Sequence, residues 1–229
     1  MATLAEMLAL LKIKVKDSSS RFSDSEKNDL IKEAIRQYNR DRPQIIDDVI
    51  TGDGSAQTFA VPSDWVRGFS YITDIEYPIN QEPAIMLDVQ DNVRIIQRSN
   101  VDKVQFLSLV IPNTETARVY FTAPHDETAP TTIPQYGIDA VVNLAASKLC
   151  FAMAAFYAES AEPTLALDVV DRQGKADMFR SMGDRFKKEY VSIVSPKEDD
   201  ANDGALEHVD QDVAFSWNHP HITHPPKNR

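Results

Sequence analysis

Cysteine is almost absent from this sequence, and glycine is scarce. The single Cys150 cannot close an internal disulfide, so a disulfide scaffold is excluded and a reducing cytoplasm is an acceptable environment. Inside an apolar segment and without a neighbouring base, it reads as a small core residue, not a reactive thiol. The chain holds seven glycines, too few for a glycine-rich phosphate loop, and Gly52-Asp53-Gly54 lacks the further glycine and helix of a dinucleotide fingerprint. Gly-x-Ser-x-Gly and Cys-x-x-Cys motifs are missing, which removes the commonest nucleophile and redox sites. Basic charge is short: 24 Lys and Arg stand against 35 Asp and Glu, a net charge of −11. That balance argues against broad binding of a phosphate backbone, which needs clustered cations. Long uninterrupted apolar runs are missing too. The most apolar stretch, from Ile138 to Glu159, is broken by Asn143, Ser147 and Lys148. A lysine near the bilayer centre costs about 3 kcal/mol, so no membrane partner is expected. The first residues do not follow the charged, apolar and small-residue succession of a secretory leader, and none is expected.

What is present is helical at both ends. Ile138, Val142, Ala145, Leu149, Ala152 and Phe156 recur at steps of four and three, the spacing of one helical stripe. A second row, Val141, Leu144, Phe151, Ala155 and Ala158, is apolar as well, and a helix apolar on two faces is expected to be buried on two sides. The pattern alone fits a central core helix or a spine that also packs against copies of itself. Nearer the start, Thr3 and Glu6 fit a capping box for a helix over Thr3–Val15, with Leu4, Met7, Leu8, Leu11 and Val15 buried. Ser23 and Glu26 fit a second, opening a helix that runs to about Arg40 and stops before Pro43. Its apolar face is Leu30, Ile31, Ala34, Ile35 and Tyr38. Arg36, Arg40 and Arg42 are its basic cluster, expected to pair with carboxylates of the same chain in preference to phosphate.

Between these helices the texture is that of strands. Ile45–Thr51 and Ala56–Val61 flank Gly52-Asp53-Gly54 and read as a hairpin. Further strands are expected over Arg67–Tyr77, Ile85–Val89, Val93–Arg98, Val104–Ile111 and Ala117–Thr122, forming an antiparallel sheet or small sandwich. Trp65 is expected to plug one end of it. Asp47 and Asp48 are adjacent in a strand and therefore point to opposite faces, as solvated charges and not as an acid–base pair. A last helix is expected over Gln173–Val194, with Ala176, Phe179, Met182, Phe186, Tyr190 and Ile193 on one face and Lys187 and Lys188 near its end. The fold class is α+β: a bundle of N- and C-terminal helices (1–42 and 134–194), an inserted antiparallel β domain (43–133) and an extended C-terminal tail (195–229).

That tail is acidic first (Glu198, Asp199, Asp200, Asp203, Glu207, Asp210, Asp212) and then reads FSWNHPHITHPPKNR. It lacks helical periodicity, and extended it can reach on the order of 110 Å. His219, His221 and His224 have the spacing of metal ligands, but a proline-broken segment offers nothing to orient them, so no metal and no cofactor is expected. Phe215 and Trp217 are large aromatics in polar surroundings and read as anchors for a partner's pocket.

Three segments carry a resemblance. FSDSEKNDLIKEAIRQYNRDRP resembles the N-terminal signature of tailed-phage head–tail adaptor (connector) proteins. TGDGSAQTFAVPSDWVRGFSYITDIEYP resembles the start of their β insertion. YFTAPHDETAPTTIPQYGIDAVVNLAASKLCFAMAAFYA with ALDVVDRQGKADMFRSMGDRFKKEY resembles their C-terminal helix pair. The likeness spans roughly residues 20 to 194, and the shared order of the pieces is what gives it weight. It implies a non-enzymatic protein of the virion neck, made in the host cytoplasm, that forms a ring, commonly of twelve copies, under the portal. The ring extends the DNA channel, which genomic DNA traverses without specific binding, and offers a platform to the stopper or tail protein. On this reading Phe215, Trp217, His219 and His221 contact the portal, and Phe151, Ala155 and Ala158 contact the neighbouring copy. The alternatives are another neck or tail-completion protein of stopper type, a DNA-binding regulator using the first two helices, and a metallohydrolase using the histidine tail.

Overall fold

The computed structural model describes residues 3–17, 20–159 and 166–195, with side chains in the last helix described from residue 174 onward. The fold is α+β, with helices and antiparallel sheets. Helix α1 (Leu4–Lys14) and helix α2 (Asp24–Asp41) both open on the capping boxes read from the sequence. Thr3 Oγ1 accepts the Glu6 amide at 3.2 Å while the Glu6 carboxylate accepts the Thr3 amide at 2.8 Å. Ser23 and Glu26 repeat the exchange at 3.3 and 2.7 Å. Each exchange satisfies two amides that the first turn cannot pair internally.

Seven strands follow, separated by a one-turn helix. They are β1 (Gln44–Thr51), β2 (Thr58–Ala60), β3 (Ile72–Glu76), β4 (Met86–Leu87), β5 (Val93–Arg98), β6 (Val101–Phe106) and β7 (Thr116–Ala123); helix α3 spans Val89–Asn92. They form two antiparallel sheets, ordered β1-β7-β3-β4 and β2-β6-β5. Ile50, Ile75, Ala117 and Val119 of the first sheet pack with Val93, Val104 and Phe106 of the second and with Ile111. The Phe59 ring meets Phe106 edge-on at 5.8 Å.

The expected hairpin between Ile45–Thr51 and Ala56–Val61 does not form. Strand β1 pairs with β7, and β2 pairs with β6 in the other sheet. The turn itself is real: Asp53 Oδ1 accepts the amides of Ser55 and Ala56 at 2.9 and 2.6 Å. The chain leaving β1 bonds instead to the segment before β7, Gly52 N–H to the Glu115 carbonyl at 2.8 Å and Gly54 N–H to the Ile111 carbonyl at 3.1 Å, and a Cβ on Gly52 would lie 2.4 Å from the Ile111 and Pro112 carbonyl oxygens. The other strand limits also shift. The Arg67–Tyr77 strand contracts to β3 because Val66–Ser70 makes turns, and Ile85–Val89 contracts to β4 because Asp88 caps α3 through the Gln90 amide. Val104–Ile111 moves back to β6, which a two-residue turn at Ser99-Asn100, both with positive φ, joins to β5. Ile111 is fully buried all the same, outside any strand.

Helix α4 (Gln135–Glu159) is the spine, and α5 (Ala166–Val194) runs along it, starting seven residues before the expected Gln173. By length and composition α4 could cross a bilayer, yet most of it is buried against α1, α2 and α5. Ala140, Ala145 and Ala146 are fully buried, and their small side chains allow that close approach. Ser147 Oγ donates to the Gly183 carbonyl at 2.8 Å, joining α4 to α5, and Lys14 Nζ donates to Asn143 Oδ1 at 2.6 Å, joining α1 to α4. Lys148, the third residue that interrupts the apolar run, reaches Glu33 of α2 at 2.6 Å, so all three bind other helices.

Candidate interaction surfaces

The two apolar rows of α4 have different fates along their length. Val141 and Leu144, in the first half, are buried in the chain's own core. Phe151, Ala155 and Ala158, in the second half, are exposed, Phe151 to 36%. The Phe151 ring lies over Gly183 of α5, where an added Cβ would come within 3.0 Å of it. Arg21 stands 5.0 Å from the Phe156 ring centre, and Tyr157 stacks flat on Phe179 at 5.6 Å, closing the opposite side of the same helix end. The result is a surface of small and aromatic groups on the outer end of a rigid helix pair.

A second feature is the junction where helices and sheet meet, which no motif in the sequence marks. The Asn39 amide pairs with the backbone of His125 in both directions, at 3.0 and 3.1 Å. The His125 ring is buried between Thr132 Oγ1, 2.8 Å from Nδ1, and the Arg42 carbonyl, 3.3 Å from Nε2. Burial holds its pKa below the ordinary value, although the Arg42 carbonyl opposes this. Arg42 itself donates twice to the Val194 carbonyl, at 2.9 and 2.7 Å, and so caps the end of α5. The Tyr190 hydroxyl donates to the Asp41 carboxylate, and burial together with that carboxylate pushes the phenol's pKa up. Of the basic cluster, Arg36 pairs with Glu127 at 2.8 Å, as expected, whereas Arg42 takes a helix-end carbonyl and not a carboxylate. Asn39 and His125 lie 86 residues apart, so no spacing signal links them.

The outer face of the four-stranded sheet holds a buried acid. Glu76 accepts from Arg118 Nη1 at 2.9 Å and from the Asn80 amide at 2.8 Å, and Arg118 also reaches Asp47 at 3.4 Å. A carboxylate withdrawn from water needs such partners. Asp47 therefore has a partner, while Asp48 Oδ1 accepts the Val49 amide of its own strand at 2.8 Å. The two carboxylates do not converge on a shared site. Trp65 is half-buried, packs 6.0 Å from the Phe121 ring and donates from Nε1 to Asp102 at 3.2 Å. Beside it an open groove of about 820 Å³ runs along the start of β1, lined by Ile45, Asp47, Trp65 and Thr132 among others.

Nothing in these features assembles a nucleophile and base. Burial pushes the Cys150 thiol up to about 11, so it stays protonated. Among the described residues there is no group of three His, Cys, Asp or Glu side chains that could hold a metal. Phe215, Trp217, His219, His221 and His224 lie outside the described residues.

No protein-family model matches the chain, and a comparison with curated proteins finds no match. Among solved structures the chain is similar to a chain in the neck of an empty gene transfer agent particle computed with C6 symmetry: 16% identity, 78% of this chain and 89% of that one, TM-score 0.29. It is similar also to a chain in the neck of the native particle computed with C12 symmetry, at 14% identity over 79% and 92% of the two chains with a TM-score of 0.28. A chain of the native gene transfer agent virion gives 15% identity over the same shares, again at 0.28.

Proposed function

We propose that this chain is a structural protein of a phage-type virion neck, a head–tail adaptor whose copies form a ring between the portal and the stopper or tail and extend the DNA channel. The observation that carries the reading is the order of the segments that resemble adaptor proteins over roughly residues 20 to 194. The arrangement of the helices supports it. A rigid α4–α5 pair turns Phe151, Ala155 and Ala158 outward at one end, where a neighbouring copy can pack without disturbing the core. The role is mechanical, not catalytic. The chain divides as bundle (1–42 and 134–194), inserted β domain (43–133) and tail (195–229). The tail carries Phe215, Trp217, His219 and His221 to the portal, and the chain's acidic balance keeps passing DNA from adhering.

Mass measurement with and without portal protein tests this. The intact chain should shift to a high-order ring, of about twelve copies if the adaptor resemblance holds, in the presence of portal. Ala155→Lys should keep its melting midpoint and lose ring formation, because Ala155 is exposed and a lysine there would be desolvated only in an assembly. Deleting residues 195–229 should leave the fold intact and abolish portal attachment. A chain that stays monomeric under every condition, or a deletion that attaches normally, overturns the ring or the tail assignment respectively.

A further inference from the structure

Two sheets present four edges, and the edges are unequal. Strand β4 has two residues and β2 has three, too short to template another strand. Strand β1 has eight and β5 has six. Both are paired on one side only and run without a bulge against their partners. Neither contains proline, and β1 contains no lysine. Those are usual devices that blunt an edge against association; a local tie remains on β1, where Asp48 Oδ1 accepts the Val49 amide at 2.8 Å and must release it for another strand to pair there. Instead both edges expose branched apolar side chains, Ile45 at 61% and Val49 at 45% on β1, Ile95 at 38% on β5.

The long edges carry opposite charge. On β1 the charged residues are Asp47 and Asp48, which point to opposite faces, Asp47 already 3.4 Å from Arg118; on β5 they are Arg94 and Arg98, which share a face, so in any register one aspartate of β1 stands on the arginines' side. Arg94 and Arg98 are exposed, and Arg94 Nε donates to the neutral Gln105 at 3.0 Å. Among the described residues neither arginine has a carboxylate within salt-bridge distance, in a chain with a net charge of −11. Lys103, on the neighbouring β6, sits directly opposite Ile96 and adds to the same basic side.

We infer that β1 of one copy pairs with β5 of a second copy, so that adjacent copies share strand hydrogen bonds along an acidic edge set against a basic one. Such a contact is heterologous: every copy uses one edge and offers the other, so the contact repeats, and it makes a ring where the rotation between copies closes. It rests on the ring reading above and adds a seam separate from the α4–α5 surface. Backbone pairing gives it adhesion, and the charges select β1–β5 over β1–β1 or β5–β5 pairing, which would set like charges together.

The test uses full-length chains with portal protein and mass as the readout. Variant A carries Asp47→Lys and Asp48→Lys; variant B carries Arg94→Glu and Arg98→Glu. Each alone should fail to form rings at concentrations at least tenfold above those the wild type needs. Mixed in equal amounts, A and B should recover rings of alternating copies, because each then meets an edge of opposite sign. Arg98→Glu alone, at an exposed position outside the core, should weaken assembly in the same direction, and equal melting midpoints exclude misfolding. If the wild type forms rings and both variants do so equally well, the edge contact is wrong while the ring stands. If the wild type forms none, both fall. If B fails, A assembles and mixing restores nothing, the basic edge serves another acidic partner, such as DNA, and the proposal is overturned.

Discussion

The helical part and the sheets of this chain are built to different standards of self-sufficiency. Among the described residues, twenty-two buried side chains of α1, α2, α4 and α5 and the adjoining Val15 and Ile133 form one continuous core. Eight form the core of the sheets. The helical part also locks its partners with side chains that cross between elements: Ser147 to α5, Asn143 to α1, Lys148 to Glu33 of α2 at 2.6 Å. The sheets have side-chain ties of their own, Arg118 to Glu76 of β3 and Asp47 of β1, Arg94 to Gln105 of β6 and Trp65 to Asp102, so the difference lies in the size of the core and in the edges. The sheets leave Ile45, Val49, Tyr71, Ile85, Met86 and Val101 exposed and two long edges unpaired. Surface of that kind is normal singly, but alignment along open edges marks a part that is completed by something else. The helices expose Ile13, Tyr136, Phe151, Met178 and Val191 as well, so what sets the sheets apart is the smaller core and the two long unpaired edges.

The sharpest way to break this comparison is to cut one large side chain from each core. Phe106→Ala removes a fully buried ring from the eight-residue cluster and should cost about 4 kcal/mol. So small a core has little left with which to absorb that loss. Hydrogen exchange should therefore show amides of β5, β6 and β2 losing protection while those of α2 and α4 keep theirs. Leu149→Ala, at the centre of α4, should cost about 3 kcal/mol and lower protection throughout the helices, since α4 touches every other long helix. If both substitutions melt the whole chain together, the two cores behave as one and the contrast drawn here is wrong.

Asn39 tests how the two halves are held to each other. Its amide satisfies both the N–H and the carbonyl of His125, and all four groups are buried. Asn39→Ala leaves two backbone groups unpaired and should cost about 2 kcal/mol. Asn39→Asp keeps the acceptor but sets a buried carboxylate oxygen against the His125 carbonyl, and should cost at least as much as the alanine. Chemical denaturation would read both. An alanine variant as stable as the wild type would mean that the junction is not held by this pair.

The same contrast explains which features were readable in the sequence. Thr3–Glu6 and Ser23–Glu26 declared themselves because a capping box closes within four residues. The extent of α4 was legible because its stripe is long and periodic, and β7 because Arg118 and Tyr120 alternate with Val119 and Phe121. Pairing was not legible. The Gly52-Asp53-Gly54 turn looks the same whether the chain returns along β1 or crosses to a second sheet, and the pairing that settles it, β1 with β7 and β2 with β6, is with strands more than forty residues away. Thr122 shows the limit of alternation: it should face out, yet it is fully buried because its hydroxyl accepts the Tyr71 amide at 3.0 Å. The exposed end of α4 could not be told from its buried start, since Val141 and Phe151 occupy the same apolar row. Only the path of α5 separates them.

The smallest expected effect concerns pH, and it isolates the junction from everything else. His125 is the one histidine among the described residues, and burial depresses its pKa below the ordinary 6.5. In the unfolded chain it takes up a proton as pH falls through about 6.5; in the folded chain it resists until lower pH. Below 6.5 the unfolded state therefore binds more protons, and stability falls as the medium is acidified. Above 6.5 neither state is protonated there and the contribution is flat. His125→Gln keeps a side chain able to meet Thr132 and removes the titration. Denaturation midpoints measured from pH 7.5 down to 5 should decline less steeply for the variant, and the two curves should run parallel above pH 7. If they stay parallel down to pH 5, the folded chain protonates His125 as readily as the unfolded one, and the junction is open to water, not sealed between the Thr132 hydroxyl and the Arg42 carbonyl.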